Sequence, residues 1–305
     1  KPAELAPLSA LRLAQLVEEI ELPPGVVNVV TGYGHTAGQA LVDHPDVNKI
    51  SFTGSTRVGK SIVIGSATHM KRVTLELGGK SPVVVFPDAD IEAATRAISR
   101  TIFFKTGQFC MAGTRLFAHE KVFDEIASGF ADLAAKVKIG PGIAPDTEMG
   151  PIISQKQLDR VLGYIDAGKQ QGAEVVTGGK RIERDGYFVQ PTLLANVRPE
   201  MSVFQDEIFG PVLCATPFSD ARELDRLAQQ ANDTSYGLAA NIWTRDIGNA
   251  IGLARRIQAG NVTVNGGARE QSMPLGGFKQ SGIGREGGRE GVEAYTELKI
   301  VSIGL

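Results

Sequence analysis

Two residues of this chain sit in settings that point to chemistry: a cysteine between glycines and a glutamate at the end of an apolar run. Cys110 lies in Gly107-Gln108-Phe109-Cys110-Met111-Ala112-Gly113. A free cysteine is by default a small buried hydrophobe. Cys214, inside Val212-Leu213-Cys214-Ala215, fits that description. Cys110 does not, because its glycine-flanked neighbourhood reads as a turn. A turn running into a helix start would lower the thiol pKa and offer backbone N–H groups to an oxyanion. Glu76 lies in Thr74-Leu75-Glu76-Leu77-Gly78-Gly79-Lys80-Ser81-Pro82. A carboxylate ending an apolar strand is costly to bury unless it is paired or functional. The plainer readings are a solvated strand end or a pair with Lys80, whereas burial would make Glu76 a better base.

Two stretches could hold a dinucleotide. Thr31-Gly32-Tyr33-Gly34-His35-Thr36-Ala37-Gly38 nearly repeats the Rossmann glycine fingerprint, with the last spacing one residue too long. A tight turn needing positive φ explains the same glycines. Phe52-Thr53-Gly54-Ser55 reads as a strand running into a helix, whose N-terminal N–H groups and dipole attract phosphate. An ordinary helix cap would also favour Ser55. The same stretch, Gly54-Ser55-Thr56-Arg57-Val58-Gly59-Lys60-Ser61, satisfies the Walker A pattern, so a P-loop NTPase is the rival enzyme. Such an enzyme needs a strand-end aspartate for Mg²⁺. Val83–Phe86 is a suitable strand, but Pro87 intervenes before Asp88.

These residues need a scaffold, and 305 residues suffice for two domains. A 42% hydrophobic and 22% charged composition is that of a globular protein. A net charge of −2 gives no reason to expect nucleic acid or an anionic membrane as partner. No apolar run reaches membrane-spanning length. Two cysteines make no disulfide framework and fit a reducing, cytoplasmic setting. The four histidines show no metal-ligand spacing, so no metal is expected.

Helix and strand signals alternate along the chain, which implies a parallel sheet covered on both faces. Helices are expected over Leu8–Ile20, a short segment ending at Asp43, Ser55–Ala67, Ile91–Phe104, Val122–Val137, Gln155–Gln171, Ala221–Ala231 and Ile247–Ile257. Strands are expected over Val26–Val30, Lys49–Thr53, Arg72–Leu75, Pro82–Phe86, Thr114–Ala118, Glu174–Thr177, Ala239–Thr244 and Asn261–Asn265. Leu298–Ile303 alternates like an edge strand. The glycine pair Gly78-Gly79 is taken as the boundary between residues 1–78 and 79–290, with 291–305 as a C-terminal segment.

At these motifs the chain resembles the NAD(P)-dependent aldehyde dehydrogenase superfamily over all 305 positions. The resemblance runs in order through Lys1-Pro2-Ala3-Glu4, Phe52-Thr53-Gly54-Ser55, Glu76-Leu77-Gly78-Gly79-Lys80 and Gly107-Gln108-Phe109-Cys110. It continues through Glu207-Ile208-Phe209-Gly210-Pro211, Pro274-Leu275-Gly276-Gly277-Phe278-Lys279 and Ser281-Gly282-Ile283-Gly284-Arg285-Glu286. It implies a partial Rossmann-like cofactor domain at 1–78, an α/β catalytic domain at 79–290 and an oligomerisation strand within 291–305. It also implies a homodimer or homotetramer. Cys110 would attack an aldehyde to give a thiohemiacetal and then a thioester, and Glu76 would activate the water that releases the acid. Lys1 and Glu4 would meet the adenosine ribose, Gly54 and Ser55 the pyrophosphate, and Glu207 and Phe209 the nicotinamide ribose. Gly34 and Leu77 would complete the cofactor contacts. Glu4 would favour NAD, because a carboxylate repels a 2′-phosphate; NADP stays open if Lys1 swings to that phosphate. Phe104, Phe109, Met111 and Leu275 would line the substrate pocket, although such residues are more often core.

The chain also departs from the family. Lys105 stands where Asn is usual, Leu275 replaces a frequent Phe, and the loop 266–273 carries Arg269 and Glu270. The family's N-terminal region, with an oxyanion-hole Asn, is expected to be missing, leaving this stretch prone to aggregation or dependent on a partner. A non-catalytic relative is the remaining alternative.

Overall fold

The computed structural model describes residues 1–267, 270 and 272–304; Arg269 lies outside the described residues. The chain divides into two compact units. One is Lys1–Phe52 with Arg57–Thr74, and the other is Thr53–Thr56 with the chain from Leu75 onward.

In the first unit, helix α1 (Leu8–Glu19) buries no side chain. A single π-helical turn, Gly34–Gly38, runs into α2 (Gln39–Asp43). Strand β1 (Lys49–Thr53) then leads through α3 (Thr56–Ala67) to β2 (Arg72–Glu76). The Lys71 amine donates to the carbonyls of His44 and Val47, and the Lys49 amine to the Thr74 hydroxyl. The strand expected over Val26–Val30 does not form; Val26, Val27 and Val30 are exposed. An apolar run becomes a strand only beside a neighbour that pairs its backbone, and among the described residues none pairs with this one.

The second unit is built on a sheet of seven strands. In chain order its elements begin with β3 (Pro82–Val85), α4 (Ile91–Phe103), β4 (Arg115–His119), α5 (Glu120–Lys136) and α6 (Gln155–Gln170). Next come β5 (Glu174–Thr177), β6 (Thr192–Ala195), α7 (Ser202–Gln205), β7 (Val212–Phe218), α8 (Leu224–Asn232) and β8 (Tyr236–Gly237). They end with β9 (Ala239–Trp243), α9 (Ile247–Ala254), β10 (Asn261–Val264), β11 (Phe278–Lys279), β12 (Gly282–Ile283) and α10 (Gly288–Glu293). The sheet order is β10-β9-β3-β4-β7-β6-β5, parallel throughout except for the β5–β6 pair at one edge.

Strands buried on both faces read as continuous apolar runs, and their side chains alternate between two cores. Val83 and Val85 of β3 join Leu116 and Ala118 of β4 beneath α4 and α5. Val84, Phe86 and Phe117 point the other way, to Leu158 and Val161 of α6, Phe204 of α7, Leu227 of α8 and Leu253 of α9. Helix α4 is capped by Asp90, whose carboxylate accepts the Ala93 N–H at 2.9 Å. Among the described residues no helix is long and apolar enough to cross a membrane.

The tail also differs from expectation. Leu298–Ile303 forms no strand, and Leu298, Ile300, Val301 and Ile303 are exposed. Its alternation suits an edge strand, but among the described residues no strand pairs with it.

Phe130 of α5 is fully buried and packs its ring 5.8 Å from that of Phe103. Phe130→Ala is expected to destabilise the second unit by about 3–5 kcal/mol through the cavity it leaves. Denaturant unfolding checks this; a loss below about 1 kcal/mol would show that this helix contact is dispensable.

Candidate active site

Strand β2 ends at Glu76, and the chain turns through Leu77-Gly78-Gly79 before entering β3. Glu76 is 4% exposed, so of the readings the sequence left open the carboxylate lies inside the protein and is not a solvated strand end. Strand β12 pairs antiparallel with the end of β2, Gly282 opposite Glu76. The buried Ser281 hydroxyl locks the turn: it donates to the Gly78 carbonyl at 2.6 Å and accepts the Gly237 N–H at 2.9 Å. Leu77 is buried, and its N–H donates to the Ser281 carbonyl at 2.8 Å.

The cysteine loop comes against this turn. A Cβ on Gly79 would stand 2.3 Å from the Cys110 carbonyl oxygen, so only glycine permits the approach. Cys110 and Met111 form a turn, as the sequence suggested, but no helix follows; the chain goes on to β4. The expected depression of the thiol pKa is therefore reversed. Burial pushes the Cys110 thiol up, and the nearby carboxylates of Glu207 and Glu76 push it further. Cys214 is core: it lies on β7, fully shielded, with its thiol toward the Val203 carbonyl at 3.2 Å.

Glu207 arrives from the segment before β7. Its carboxylate accepts the Gly79 N–H at 3.0 Å, and a Cβ on Gly78 would stand 2.5 Å from its other oxygen. Burial raises the Glu207 pKa, while the Gly79 N–H, Lys80 and Arg160 oppose the rise. Phe209 adopts left-handed backbone, φ 59°. The Gln157 side-chain amide donates to the carbonyls of Ile208 and Phe209 at 3.0 and 2.9 Å, and Arg160 donates to the Glu207 carbonyl at 2.7 Å. Ser281, Gln157 and Arg160 carry the site from behind, and only contact across the fold reveals them.

Lys80 does not pair with Glu76. It is 1% exposed, and its electrostatic neighbours are Cys214, Arg115, Glu207 and Asp206. Burial lowers its pKa.

Of the remaining residues, Lys1, Glu4 and Gly34 gather in the first unit. The Lys1 amine is 3.6 Å from the Glu4 carboxylate, which accepts the Gly34 N–H at 2.6 Å. The Gly54 N–H donates to the Glu76 carbonyl at 3.0 Å, and Ser55 directly precedes α3. The N–H groups of Gly34 and Gly54 are thus already engaged within the protein. The P-loop reading fails here: Thr56, Arg57 and Val58 are already α-helix, whereas a P-loop presents the residues between its two glycines as a phosphate-cradling loop. Phe104 and Phe109 pack edge to face, centroids 5.7 Å apart, beside Cys110, and the Lys105 amine lies 5.2 Å over the Phe104 ring. Leu275 pairs its backbone with Glu286.

A cysteine, a buried carboxylate and a second acid thus lie around glycine turns of the α/β unit. The sequence matches the profile of the Aldehyde dehydrogenase family over residues 1–301, and the chain belongs to that family. It is 46% identical over its full length to a putative aldehyde dehydrogenase, DhaS, of Bacillus subtilis (strain 168), covering 61% of that protein. It is 48% identical over 99% of its length to the mitochondrial aldehyde dehydrogenase of Leishmania tarentolae, covering 60% of it. The NAD+ complex of aldehyde dehydrogenase from Bacillus cereus superposes with a TM-score of 0.94 at 45% identity, over 98% of this chain and 60% of that one. Betaine aldehyde dehydrogenase from Staphylococcus aureus, in complex with NAD+, gives 0.92 at 38% identity, over 96% and 59%. The chain thus spans about 60% of the length of its relatives.

Carboxymethylation of Cys110 against pH reads its ionisation, since Cys214 is shielded. The rate should still climb above the ordinary thiol pKa of about 8.5. Glu207→Gln removes a repelling charge and should move the midpoint down. A wild-type midpoint at or below the ordinary value would contradict the electrostatics.

Proposed function

We propose that the protein carrying this chain is an NAD-dependent aldehyde dehydrogenase that oxidises an aldehyde to a carboxylic acid through covalent attachment to Cys110. The observation that carries this reading is the meeting of the Cys110 loop with the Glu76–Gly79 turn, with the Glu76 carboxylate felt at the thiol.

The residues fit the cofactor in kind. Ser55 supplies a hydroxyl at the entry to a twelve-residue helix, where an anionic pyrophosphate is favoured. The Glu4 and Glu207 carboxylates suit ribose hydroxyls, and Gly78 leaves Glu207 room. With their N–H groups engaged, Gly34 and Gly54 contribute close approach rather than donors. Bound NAD+ supplies the two-electron acceptor for the hydride. Glu4 favours NAD over NADP by repelling a 2′-phosphate.

Cys110 first gives its thiol proton to solvent water; the thiolate Sγ then attacks the carbonyl carbon, forming the S–C bond as the C=O π pair moves onto oxygen. Loss of hydride from that carbon leaves a thioester on Cys110. Glu76 takes a proton from water, the hydroxyl adds to the thioester, and the S–C bond breaks to release the acid and the sulfur. Phe104, Phe109, Met111 and Leu275 face the aldehyde's apolar part. The chain acts in a homodimer or homotetramer in the cytoplasm.

Glu76→Gln in the full-length protein separates the steps. Removing the Glu76 charge eases ionisation of Cys110, so a burst of NADH should survive. Steady turnover should fall by about 10²–10⁴-fold, the usual loss of a general base. Stopped-flow absorbance with an aldehyde panel checks this; a variant without the burst would place Glu76 before thioester formation.

A further inference from the structure

The approach to Cys110 is made by an unusual piece of backbone. Lys105 (φ 50°, ψ 27°), Thr106 (φ 59°, ψ 39°) and Gly107 (φ 65°) are three consecutive left-handed residues, two of them carrying a Cβ. L-residues resist this conformation because Cβ crowds the following carbonyl. Such backbone persists only where its surroundings over-determine it. Here three tethers do so. The Thr106 hydroxyl donates to the Gly150 carbonyl at 2.8 Å. Gly107 lies so close to the Gly210 carbonyl that a Cβ would stand 2.2 Å from its oxygen. The third tether is Gln108, whose amide works in both directions. Its oxygen accepts the Ile153 N–H at 2.9 Å, and its nitrogen donates to the Lys105 carbonyl at 3.1 Å. One side chain thereby ties the strained turn to the 150–153 segment, and only Phe109 separates it from Cys110.

We propose that Gln108 is a positioning residue: by bracing the left-handed turn 105–107 against Ile153, it fixes the direction in which the Cys110 side chain leaves the loop. Without the brace, Lys105 and Thr106 relax toward right-handed or extended backbone, and the rotation passes through Phe109 to Cys110. Gln108 touches no reacting atom. Its effect on aldehyde attack rests on the proposed dehydrogenase reading, but its effect on the thiol does not.

The test uses the full-length protein and Gln108→Met, which keeps the side-chain length and loses all three hydrogen bonds of the amide, to Lys105, to Ile153 and, at 3.5 Å, to the Pro151 carbonyl. We expect kcat to fall by about 10²-fold with the KM for aldehyde within about twofold, since a displacement near 1 Å has this effect on a reacting group. Carboxymethylation of Cys110 by iodoacetate, with neither cofactor nor aldehyde present, should depart from wild type by about tenfold or more. Adding Lys105→Asn, a residue that tolerates left-handed backbone, should recover about tenfold of both losses. A merely structural role would lower the melting temperature and leave both rates at wild type, and that result overturns the proposal; so does a double variant that recovers nothing. Should Gln108→Met fail to fold, Gln108→Glu keeps the acceptor for Ile153 and removes only the donor, and the same rates decide. If the wild-type protein forms no NADH with any aldehyde, the dehydrogenase reading fails, while the carboxymethylation rates still judge Gln108.

Discussion

The contact on which the site depends is between two pieces of backbone: the Cα of Gly79 against the carbonyl of Cys110. A methyl group at residue 79 would stand 2.3 Å from that oxygen, well inside van der Waals contact. The approach puts the turn that carries Glu76 against the loop that carries Cys110, and it frees the Gly79 N–H to hold Glu207 at 3.0 Å. Three titratable side chains from distant parts of the sequence thus share one neighbourhood because one residue has no side chain. Ser281 fixes the same turn from the opposite side through Gly78 and Gly237.

That neighbourhood is electrostatically divided. Cys110 sits among carboxylates and is held as a thiol in the resting protein. Behind the turn lie two buried cations. The Lys80 amine has no hydrogen-bond partner among the described residues, and Arg115 donates to the carbonyls of Lys80 and Ala231 at 2.9 and 2.6 Å. Burial lowers the Arg115 pKa to about 10, and its guanidinium packs over the rings of Phe204 and Phe117. Charges this deeply buried are costly unless they act on something. Lys80 acts on Glu207, favouring its ionised form against the burial that opposes it.

Much of this was legible in the sequence. The alternating helices and strands gave the parallel sheet because apolar runs such as Pro82–Phe86 carry a period and a length. Glu76 was legible as an acid ending an apolar strand, and Cys110 as a cysteine in a glycine turn. Strands β6 and β7 were not read as strands, although Val212–Ala215 was seen as buried; short central strands lack the alternation that marks a half-exposed one. Val26–Val30 and Leu298–Ile303 erred the other way, since a strand needs a neighbour that local sequence does not describe. The sign of the shift at Cys110 was misread for a related reason. Local glycines suggested a helix start, whereas burial raises the thiol first, and the charges that raise it further come from residues 97 and 34 positions away, Glu207 and Glu76. The left-handed turn before Cys110 was equally hidden, because Lys and Thr do not announce such backbone.

The central claim is that Cys110 bears the substrate covalently. Its most direct test is the mass of the full-length Glu76→Gln protein, acid-quenched within the first turnover after mixing with NAD+ and an aldehyde, then digested and sequenced by mass spectrometry. An added acyl mass is expected on the peptide containing Cys110, removable by hydroxylamine. An unmodified Cys110 peptide alongside full NADH formation, or an acyl group on Cys214, would contradict it.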